Sequence, residues 1–257
     1  MNYAIILAGG TGSRMGIDRP KQLLLLHGHT VLEHSIEAFA RHPRIGGIVV
    51  VVHPSTRAEV EDIILRHRAT DEAWQKVQRV VDGGGTRAES SWNALKAVEK
   101  MQAEGRAPGG KDDVNVLFHD AARPLVSPRI ISDVCQALQE ASVVNVGIAV
   151  TDTIMECHEG IQRRTLDRSA LMRVQTPQGF RMDTIVQAYR LAMADPAFQA
   201  TDDCGIVMNY LPHTMIRVVE GEETNLKLTY AEDIPLFEFL MQRRQHGPGQ
   251  DETIPFS

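Results

Sequence analysis

Cysteine is scarce in this sequence. Its 257 residues include three, Cys135, Cys157 and Cys204, which lie far apart and form no CxxC pair. An odd and sparse set excludes a disulfide framework and a cysteine-based zinc site. It is typical of thiols that stay reduced inside a cell, and we therefore expect a cytoplasmic protein.

The sequence also lacks an excess of positive charge. It carries 27 Lys and Arg against 33 Asp and Glu, a formal net charge of −6. A general nucleic-acid-binding protein normally has a basic excess or a basic stripe. The composition speaks against that class but not against a small anionic ligand, because a few local cations suffice to bind one.

Long apolar runs are missing as well. A transmembrane helix needs about 20 consecutive apolar residues, and no stretch comes near that length. The opening MNYAIILAGG is apolar for only a few residues and has no basic segment before it, so it does not predict a secretion signal. We expect no membrane partner.

What the sequence does contain is an alternation of strand-like and helix-like segments. Runs rich in β-branched residues, typical of strands covered on both faces, occupy 3–8, 47–52, 77–81, 114–119 and 142–150. Amphipathic stretches between them occupy 30–42, 55–67, 86–102 and 127–141. Ser55, Thr86 and Ser127 are the expected N-caps. Repeated β-α-β units predict an α/β fold with a parallel sheet and helices on both faces.

The alternation breaks at 151–172, which we interpret as a β-arm that projects from the sheet with a turn at His158–Gly160. Regular structure is expected again at 182–195, 201–211, 215–221, 224–229 and 231–244. We predict a single domain over 1–244 and a flexible tail over 245–257.

A glycine-rich segment, LAGGTGSRMGIDRPKQ, follows the first predicted strand at 7–22. Such folds bind ligands at the carboxyl edge of the sheet, and glycines let backbone N–H groups approach phosphate oxygens. A Walker phosphate loop is excluded because Lys21 follows Pro20 and precedes a glutamine. A dinucleotide GxGxxG fingerprint is excluded because Met15 stands where the third glycine should be.

The remaining pattern, LAGGxGxRMG followed by PKQ, is the signature of sugar-nucleotide pyrophosphorylases and related nucleotidyltransferases. Further motifs follow in order: VDGGGTRAESSWNAL (81–95), HDAARPLVSP (119–128), DTI, DRSAL and QTPQGF within 152–180, TDD (201–203) and EGEETNLKLTYAED (220–233). On these motifs the chain, from residue 3 to about 240, resembles the 2-C-methyl-D-erythritol 4-phosphate cytidylyltransferases and the related bacterial enzymes that make CDP-ribitol.

This resemblance implies a Rossmann-like, mostly parallel sheet of the nucleotidyltransferase type, with the arm at 151–172 exchanged between two subunits of a homodimer. It implies that CTP and 2-C-methyl-D-erythritol 4-phosphate react, with Mg²⁺ or another divalent cation, to give CDP-methylerythritol for isoprenoid synthesis and pyrophosphate.

The chemistry of that reaction explains why cations are needed. Two anions must meet, so the protein has to supply positive charge and alignment, whereas the attacking phosphate oxygen is already ionised. Arg14 can donate two hydrogen bonds to phosphate oxygens, and Lys21 acts as a point charge. The resemblance implies that both residues, together with Lys227, are the catalytic groups.

The nucleotide and its metal are expected at the same sheet edge. Asp120 ends the strand VNVLFH there, and a carboxylate beside a triphosphate is a natural Mg²⁺ ligand. We expect His119 to be packed or hydrogen-bonded, Arg123 to pair with Asp120 or a neighbour, and Arg87 to brace the second glycine-rich turn, which would hold the cytosine. The resemblance implies nucleotide contacts from Ala8, Gly9, Gly10, Thr11, Gly12, Gly83, Gly84, Arg87, Ala88, Ser90, Asp120 and Ala121.

The acceptor phosphate needs a site of its own. The resemblance places it on the arm, on the strand after the arm and on the last third of the chain, partly in the partner subunit. The implied residues are Asp120, Thr153, Arg168, Thr176, Thr201 and Lys227.

Two alternatives remain open from the sequence. Asp203-Cys204 stands where the methylerythritol-phosphate enzymes often carry a glutamate and small residues, which leaves ribitol 5-phosphate as an alternative acceptor. HDAARP and DRSALMRVQTPQGF favour the methylerythritol branch. A non-catalytic nucleotide-binding subunit is the alternative from another class, but it would be expected to lack Arg14, Lys21 or Asp120, and all three are present.

Overall fold

The computed structural model describes residues 1–10, 19–105, 114–200 and 202–246. The strands within these ranges are β1 (Asn2–Ala8), β2 (Leu25–Leu26), β3 (His29–Thr30), β4 (Ile45–Val52), β5 (Val77–Asp82), β6 (Asn115–Asp120), β7 (Val143–Ala149), β8 (Met155–His158), β9 (Ile161–Thr165), β10 (Met172–Arg181) and β11 (Ile216–Glu220). The helices are α1 (Val31–Ala40), α2 (Arg57–Thr70), α3 (Arg87–Ala103), α4 (Pro128–Ala137), α5 (Met182–Ala194), α6 (Asp203–Tyr210) and α7 (Ile234–His246).

Seven strands form one sheet in the order β11-β7-β10-β6-β1-β4-β5. Neighbouring strands are parallel except around β10, which runs antiparallel to both β6 and β7. The arm explains this exception. The chain leaves the sheet after β7, forms the hairpin of the arm and re-enters the sheet as β10, which runs back along β7. The predicted α/β fold with a mostly parallel sheet is confirmed.

Alternate residues of β1 belong to two separate apolar clusters. Ala4 and Ile6 pack on one face with residues of α1, α2 and α4. Tyr3 and Ile5 pack on the other face with residues of α3, α5 and α6. Because successive side chains of a strand point to opposite faces, a strand covered on both sides must be apolar throughout, which is why β1 reads as a continuous apolar run.

Two of the three predicted N-cap residues are confirmed. Thr86 accepts a hydrogen bond from the Glu89 N–H, with the reciprocal bond of a capping box, and Ser127 caps α4. Ser55 was expected to cap α2 but does not, because it lies in a 3-10 turn at Pro54–Thr56 and the helix begins at Arg57.

The arm is a two-stranded hairpin of β8 and β9, which pair with each other and not with the main sheet. Glu159 and Gly160, the two turn residues, have φ of 51° and 76°. Positive φ at both positions is the geometry of a type I′ turn, which matches the twist of the flanking strands. The predicted turn is confirmed.

The carboxyl-terminal part departs from the sequence prediction in two places. Residues 224–229, expected to be regular, contain turns and irregular backbone, held by a hydrogen bond from the Leu228 N–H to the Ala122 carbonyl oxygen. Leu228 and residues of α7 form a third, smaller apolar cluster. Helix α7 ends at His246, inside the predicted tail, and the rest of that tail, 247–257, lies outside the described residues. No helix in the described ranges is long and apolar enough to span a bilayer.

Candidate active site

A cavity of about 500 Å³ opens at the carboxyl edge of the sheet, where β1 and β6 end next to each other. The predicted residues that line it are Ala8, Gly9, Gly10, Lys21, Gly84, Arg87, Ser90, Asp120, Ala121 and Lys227. Thr11, Gly12, Arg14 and Thr201 lie outside the described residues, so their roles stay predictions.

Asp120 lies between two cations. Lys227 Nζ is 2.7 Å from one carboxylate oxygen, and Arg87 Nε is 3.6 Å from the other. Burial alone would raise the pKa of Asp120, but the charges of Arg87 and Lys227 outweigh it and hold that pKa well below its ordinary value. The carboxylate is therefore ionised across the physiological range.

Arg87 is held by a second carboxylate behind the cavity. Its Nη1 donates to Asp203 Oδ2 at 2.6 Å, and the Tyr189 hydroxyl donates to the other Asp203 oxygen at 2.6 Å. Although burial disfavours the charged guanidinium, Asp203 and Asp120 raise the pKa of Arg87 further above its ordinary range. Asp203 is fully buried, so this pair ties the start of α3 to α6 and fixes the direction of Arg87. The predicted bracing role thus has a physical basis.

Behind Asp120 lies a chain of hydrogen bonds through His119 and Thr176. The Thr176 hydroxyl accepts from the Asp120 N–H at 3.1 Å and lies 3.0 Å from His119 Nδ1, while His119 Nε2 lies 3.1 Å from the Arg123 carbonyl oxygen. Burial lowers the pKa of His119 to about 4. The expectation that His119 is a packed, hydrogen-bonded residue is confirmed. Thr176 orients the backbone at Asp120, and its contact with substrate stays a prediction.

Arg123 was expected to pair with Asp120 or a neighbour and to set the orientation of Asp120, but it forms no ion pair with Asp120 among the described contacts. Its guanidinium donates to the carbonyl oxygens of Asn225 and Val174, at 2.7 and 3.3 Å. Arg123 therefore anchors the irregular segment that carries Lys227, and it acts on Asp120 only as a nearby positive charge.

The second glycine-rich turn is shaped by the helix that follows it. The Ser90 hydroxyl donates to the Thr86 carbonyl oxygen and accepts from the Gly84 N–H at 3.1 Å. A Cβ on Gly84 would lie 2.3 Å from the Glu89 Cβ, so a larger residue could not hold this turn. The N–H groups of Gly84, Gly85 and Thr86 donate to the side chains of Ser90 and Glu89, so the turn forms a closely packed part of the cavity wall.

Two residues of this region that were predicted to bind nucleotide do not line the cavity. The Gly83 N–H donates to the Val52 carbonyl oxygen, which continues the pairing of β4 with β5. Ala88 is buried in the core under α3, because it lies about 100° around the helix from Arg87.

On the other side of the cavity, the segment after the glycine loop is fixed by Gln22. Its side-chain amide donates to the carbonyl oxygens of Ala8 and Gly10, at 2.8 and 3.0 Å. The neighbouring Lys21 Nζ donates to the Leu228 carbonyl oxygen at 3.1 Å. Lys21 and Lys227 thus reach the same cavity from opposite ends of the chain.

Thr153 and Arg168 lie on the arm, away from the cavity. Both are exposed, and Arg168 donates to the Thr151 carbonyl oxygen at 2.6 Å. Within one chain the structure does not bring them to Asp120 or Lys227. Their predicted part in the acceptor site therefore depends on a second chain and stays a prediction.

Sequence reasoning missed Gln22, Asp203 and Tyr189, which position the cavity residues without belonging to the predicted site. Gln22 is the last residue of the PKQ pattern and could have been found there. Tyr189 carries no local signal, because it stands on an ordinary amphipathic helix, and Asp203 stood out only as a departure from the pattern of related enzymes.

Chemically, the cavity suits a polyanion. Among the residues described, its lining carries Lys21, Arg87 and Lys227 against the single carboxylate of Asp120. Cationic side chains of this kind bind phosphates.

Comparison with known proteins agrees with this chemistry. The family model of 2-C-methyl-D-erythritol 4-phosphate cytidylyltransferase matches residues 2–243. A protein of that name from Thermobifida fusca is 43% identical over 93% of this chain and 92% of its own length. A solved structure of 4-diphosphocytidyl-2C-methyl-D-erythritol synthase from Anaerococcus prevotii is 27% identical and covers 95% of this chain and 96% of its own, with a TM-score of 0.78.

A bifunctional protein is also similar. The ribulose 5-phosphate reductase/CDP-ribitol pyrophosphorylase of Haemophilus influenzae is 34% identical over 95% of this chain. The match covers 49% of that protein.

Proposed function

This chain belongs to the family of 2-C-methyl-D-erythritol 4-phosphate cytidylyltransferases, and from that premise we propose that it transfers the cytidylyl group of CTP to 2-C-methyl-D-erythritol 4-phosphate. The products are CDP-methylerythritol and pyrophosphate, and the reaction serves isoprenoid precursor synthesis. The observation that carries the proposal is the ionised Asp120 held between Lys227 and Arg87 in a cavity at the carboxyl edge of the sheet.

In the proposed reaction, an oxygen of the acceptor phosphate attacks the α-phosphorus of CTP. A new P–O bond forms there while the bond from the α-phosphorus to the bridging oxygen of the β-phosphate breaks, and pyrophosphate leaves with that electron pair. No base is needed, because the attacking oxygen is already ionised. Positive charge and alignment therefore carry the catalysis.

Lys21 and Lys227 are the described cations with the reach to serve both substrates. Each ammonium group lies against chain oxygens, Lys21 on the Leu228 carbonyl and Lys227 on Asp120. In these positions both lysines line the cavity, where a bound phosphate can accept hydrogen bonds from them. Arg14 would join them as the third of the catalytic cations that the resemblance implies.

Asp120 fits the divalent cation that the reaction needs. Mg²⁺ in nucleotide sites is held by one or two carboxylates together with phosphate oxygens and water, and Asp120 is an ionised carboxylate that lines the cavity. Bound there, Mg²⁺ would neutralise charge on the phosphates. The salt bridge to Lys227 keeps the carboxylate oriented and leaves the lysine close to the same phosphates.

Selection of a pyrimidine is proposed for the turn at Gly84–Thr86. The close packing of Gly84 against Glu89 and the hydrogen bond from its N–H to Ser90 make this wall rigid. A rigid wall of backbone limits the space for a base, and a purine needs more of it.

We also propose that the enzyme acts as a homodimer in the cytoplasm, joined by the arm. The support for the dimer is a set of large apolar side chains exposed on and beside the arm: Ile154, Met155, Ile161, Met172 and Val174. The support for a reducing compartment is that Cys135, Cys157 and Cys204 are all unpaired thiols. The mass of Met155→Ser/Ile161→Ser in solution tests the dimer: it should fall to that of one chain, and an unchanged dimer would refute the arm as its interface.

The activity is tested by following pyrophosphate release with CTP and Mg²⁺. Release is expected with 2-C-methyl-D-erythritol 4-phosphate and should be much slower with ribitol 5-phosphate or with ATP in place of CTP. Release with ribitol 5-phosphate alone would overturn the choice of acceptor. If no polyol phosphate supports release, the chain is not this enzyme.

A further inference from the structure

A second cluster of ligand-type side chains lies outside the cavity. His29 Nδ1, a carboxylate oxygen of Glu33 and His67 Nε2 all lie within 4.8 Å of one another. None of the three lines the active-site cavity. They come from two parts of the chain: His29 in β3 and Glu33 in the first turn of α1, which adjoin, and His67 in the last turn of α2.

Local structure brings these residues together. A two-residue turn at His27–Gly28 reverses the chain between β2 and β3, which places His29 just before the start of α1. Glu33 is the third residue of that helix, one turn on from His29. The C-terminal turn of α2 then brings His67 against the same carboxylate.

The distances match those of ligands around one small ion. His67 Nε2 is 2.7 Å from Glu33 Oε1, and His29 Nδ1 is 3.6 Å from the same oxygen. Ligand atoms around a tetrahedral Zn²⁺ with bonds of about 2.1 Å lie about 3.4 Å apart. A hydrogen bond explains the 2.7 Å contact between His67 Nε2 and Glu33 Oε1. The 3.6 Å between His29 Nδ1 and the same oxygen is too long for a hydrogen bond.

Two of the three side chains are already held in place. Glu33 Oε2 accepts a hydrogen bond from the Thr30 N–H at 2.6 Å, which leaves Oε1 directed at the histidines. The His67 ring stacks on the buried Trp74, with centroids 4.0 Å apart and planes 8° from parallel. Supporting contacts of this kind orient ligands in metal sites. His29 is half-exposed and gives an ion access from solvent.

We propose that His29, Glu33 and His67 bind a transition-metal ion of the Zn²⁺ class, with water completing the coordination. Two imidazoles and a carboxylate favour Zn²⁺, Co²⁺ or Ni²⁺ over Mg²⁺, so this site is chemically distinct from that of Asp120. On binding, the hydrogen between His67 Nε2 and Glu33 moves to His67 Nδ1 or is released to solvent.

The bound ion would act as a brace. It would tie the β2–β3 hairpin and the start of α1 to the end of α2, and this hairpin follows directly on the segment of Lys21 and Gln22. Because an ion that binds the folded chain alone stabilises it by mass action, Zn²⁺ should raise the unfolding temperature. At a hundred-fold excess over its dissociation constant, the expected rise is about 5–10 °C for a chain of this size.

The test uses the full chain without a histidine tag, stripped with a chelator and kept in excess Mg²⁺. Calorimetry with Zn²⁺ and the visible absorption of added Co²⁺ should both show one ion per chain. His29→Ala is the main variant, since a half-exposed side chain can be removed without loss of the fold, and it should weaken binding at least about tenfold. His67→Ala should do the same, and each variant should also lose the rise in unfolding temperature.

His213→Ala is the matched control, because His213 is an exposed histidine in the turn between α6 and β11. It should bind Zn²⁺ and Co²⁺ as the parent chain does. The proposal is overturned if the parent chain binds neither ion at micromolar concentration. It is also overturned if His29→Ala binds both as tightly as the parent, since an ion held elsewhere would explain that result.

Discussion

Two ion pairs of the same length, one in the cavity and one on the arm, differ in how far they are exposed to solvent. Lys227 lies 2.7 Å from Asp120 in the cavity, and Arg164 lies 2.7 Å from Glu156 on the arm. The Asp120 side chain is 14% exposed and the Glu156 side chain 49%. The distance between the charges therefore does not by itself determine how strongly a pair interacts, because water screens the charges on the arm far more than those in the cavity.

The surroundings of the two regions explain the difference. The cavity wall rests on a fully buried Asp203 and His119 and on several distant segments of the chain. Every residue of β8 and β9 is exposed, and the hairpin pairs only with itself. The Asp120 carboxylate is thus held between two cations in the wall of a cavity, whereas the pair of Arg164 with Glu156 on the arm stays open to solvent within one chain.

The largest effect is expected from Lys227→Met, which removes one of the cations that line the cavity while keeping most of the length of its side chain. Turnover measured as pyrophosphate release should fall about 100- to 1000-fold, the usual loss when one group that stabilises a transition state is removed. Lys100→Met is the matched control, since Lys100 is an exposed helix lysine 3.9 Å from Glu104, and it should keep full turnover. Equal turnover in both variants would remove Lys227 from the mechanism.

Arg87→Met tests whether the cavity wall depends on the buried pair. It leaves the carboxylate of Asp203 buried without its cation, which should lower the free energy of unfolding by about 3 kcal/mol in urea titrations. Arg87→Met/Asp203→Asn should recover part of that loss, because the remaining amide can still accept from Tyr189. If the double variant is no more stable than the single one, the pair does not act as a unit.

Acid should weaken the cavity wall through His119. Its pKa is about 4 in the fold against 6.5 for an ordinary histidine, so between these values the unfolded chain takes up a proton that the folded chain does not. Stability is therefore lost as the pH falls, by about 2 kcal/mol from this residue between pH 7.5 and 5.0. Urea titrations at both pH values measure the loss. A histidine NMR signal of His119 that titrates near pH 6.5 in the folded protein would contradict the assignment.

The smallest effect is expected from Arg164→Ala on the arm. An exposed pair contributes little, so the free energy of unfolding should change by no more than about 0.5 kcal/mol. Urea titrations with Glu156→Gln, which removes the other partner, should agree. A loss as large as that of Arg87→Met would mean that the arm is not screened as its exposure indicates.

Much of the fold and part of the site could be predicted from local sequence. β1, β4 and β6 follow from continuous apolar runs, and Thr86 and Ser127 mark helix starts. Asp120 could be placed beside the glycine loop because both follow strands at one edge of the sheet. The motifs did not contain the direction of a side chain, so they could not show that Ala88 is buried under α3 or that Arg123 donates to the carbonyl oxygens of Asn225 and Val174.

The sequence alone determined the order of strands and helices, the two glycine-rich turns and the types of group available for phosphate chemistry, because these depend on neighbours a few residues apart. Only the tertiary structure decided which charges meet. Lys227 pairs with Asp120 across 107 residues and Arg87 with Asp203 across 116. Such pairs are set by how helices and irregular segments pack on the sheet, and burial in that packing gives them their strength.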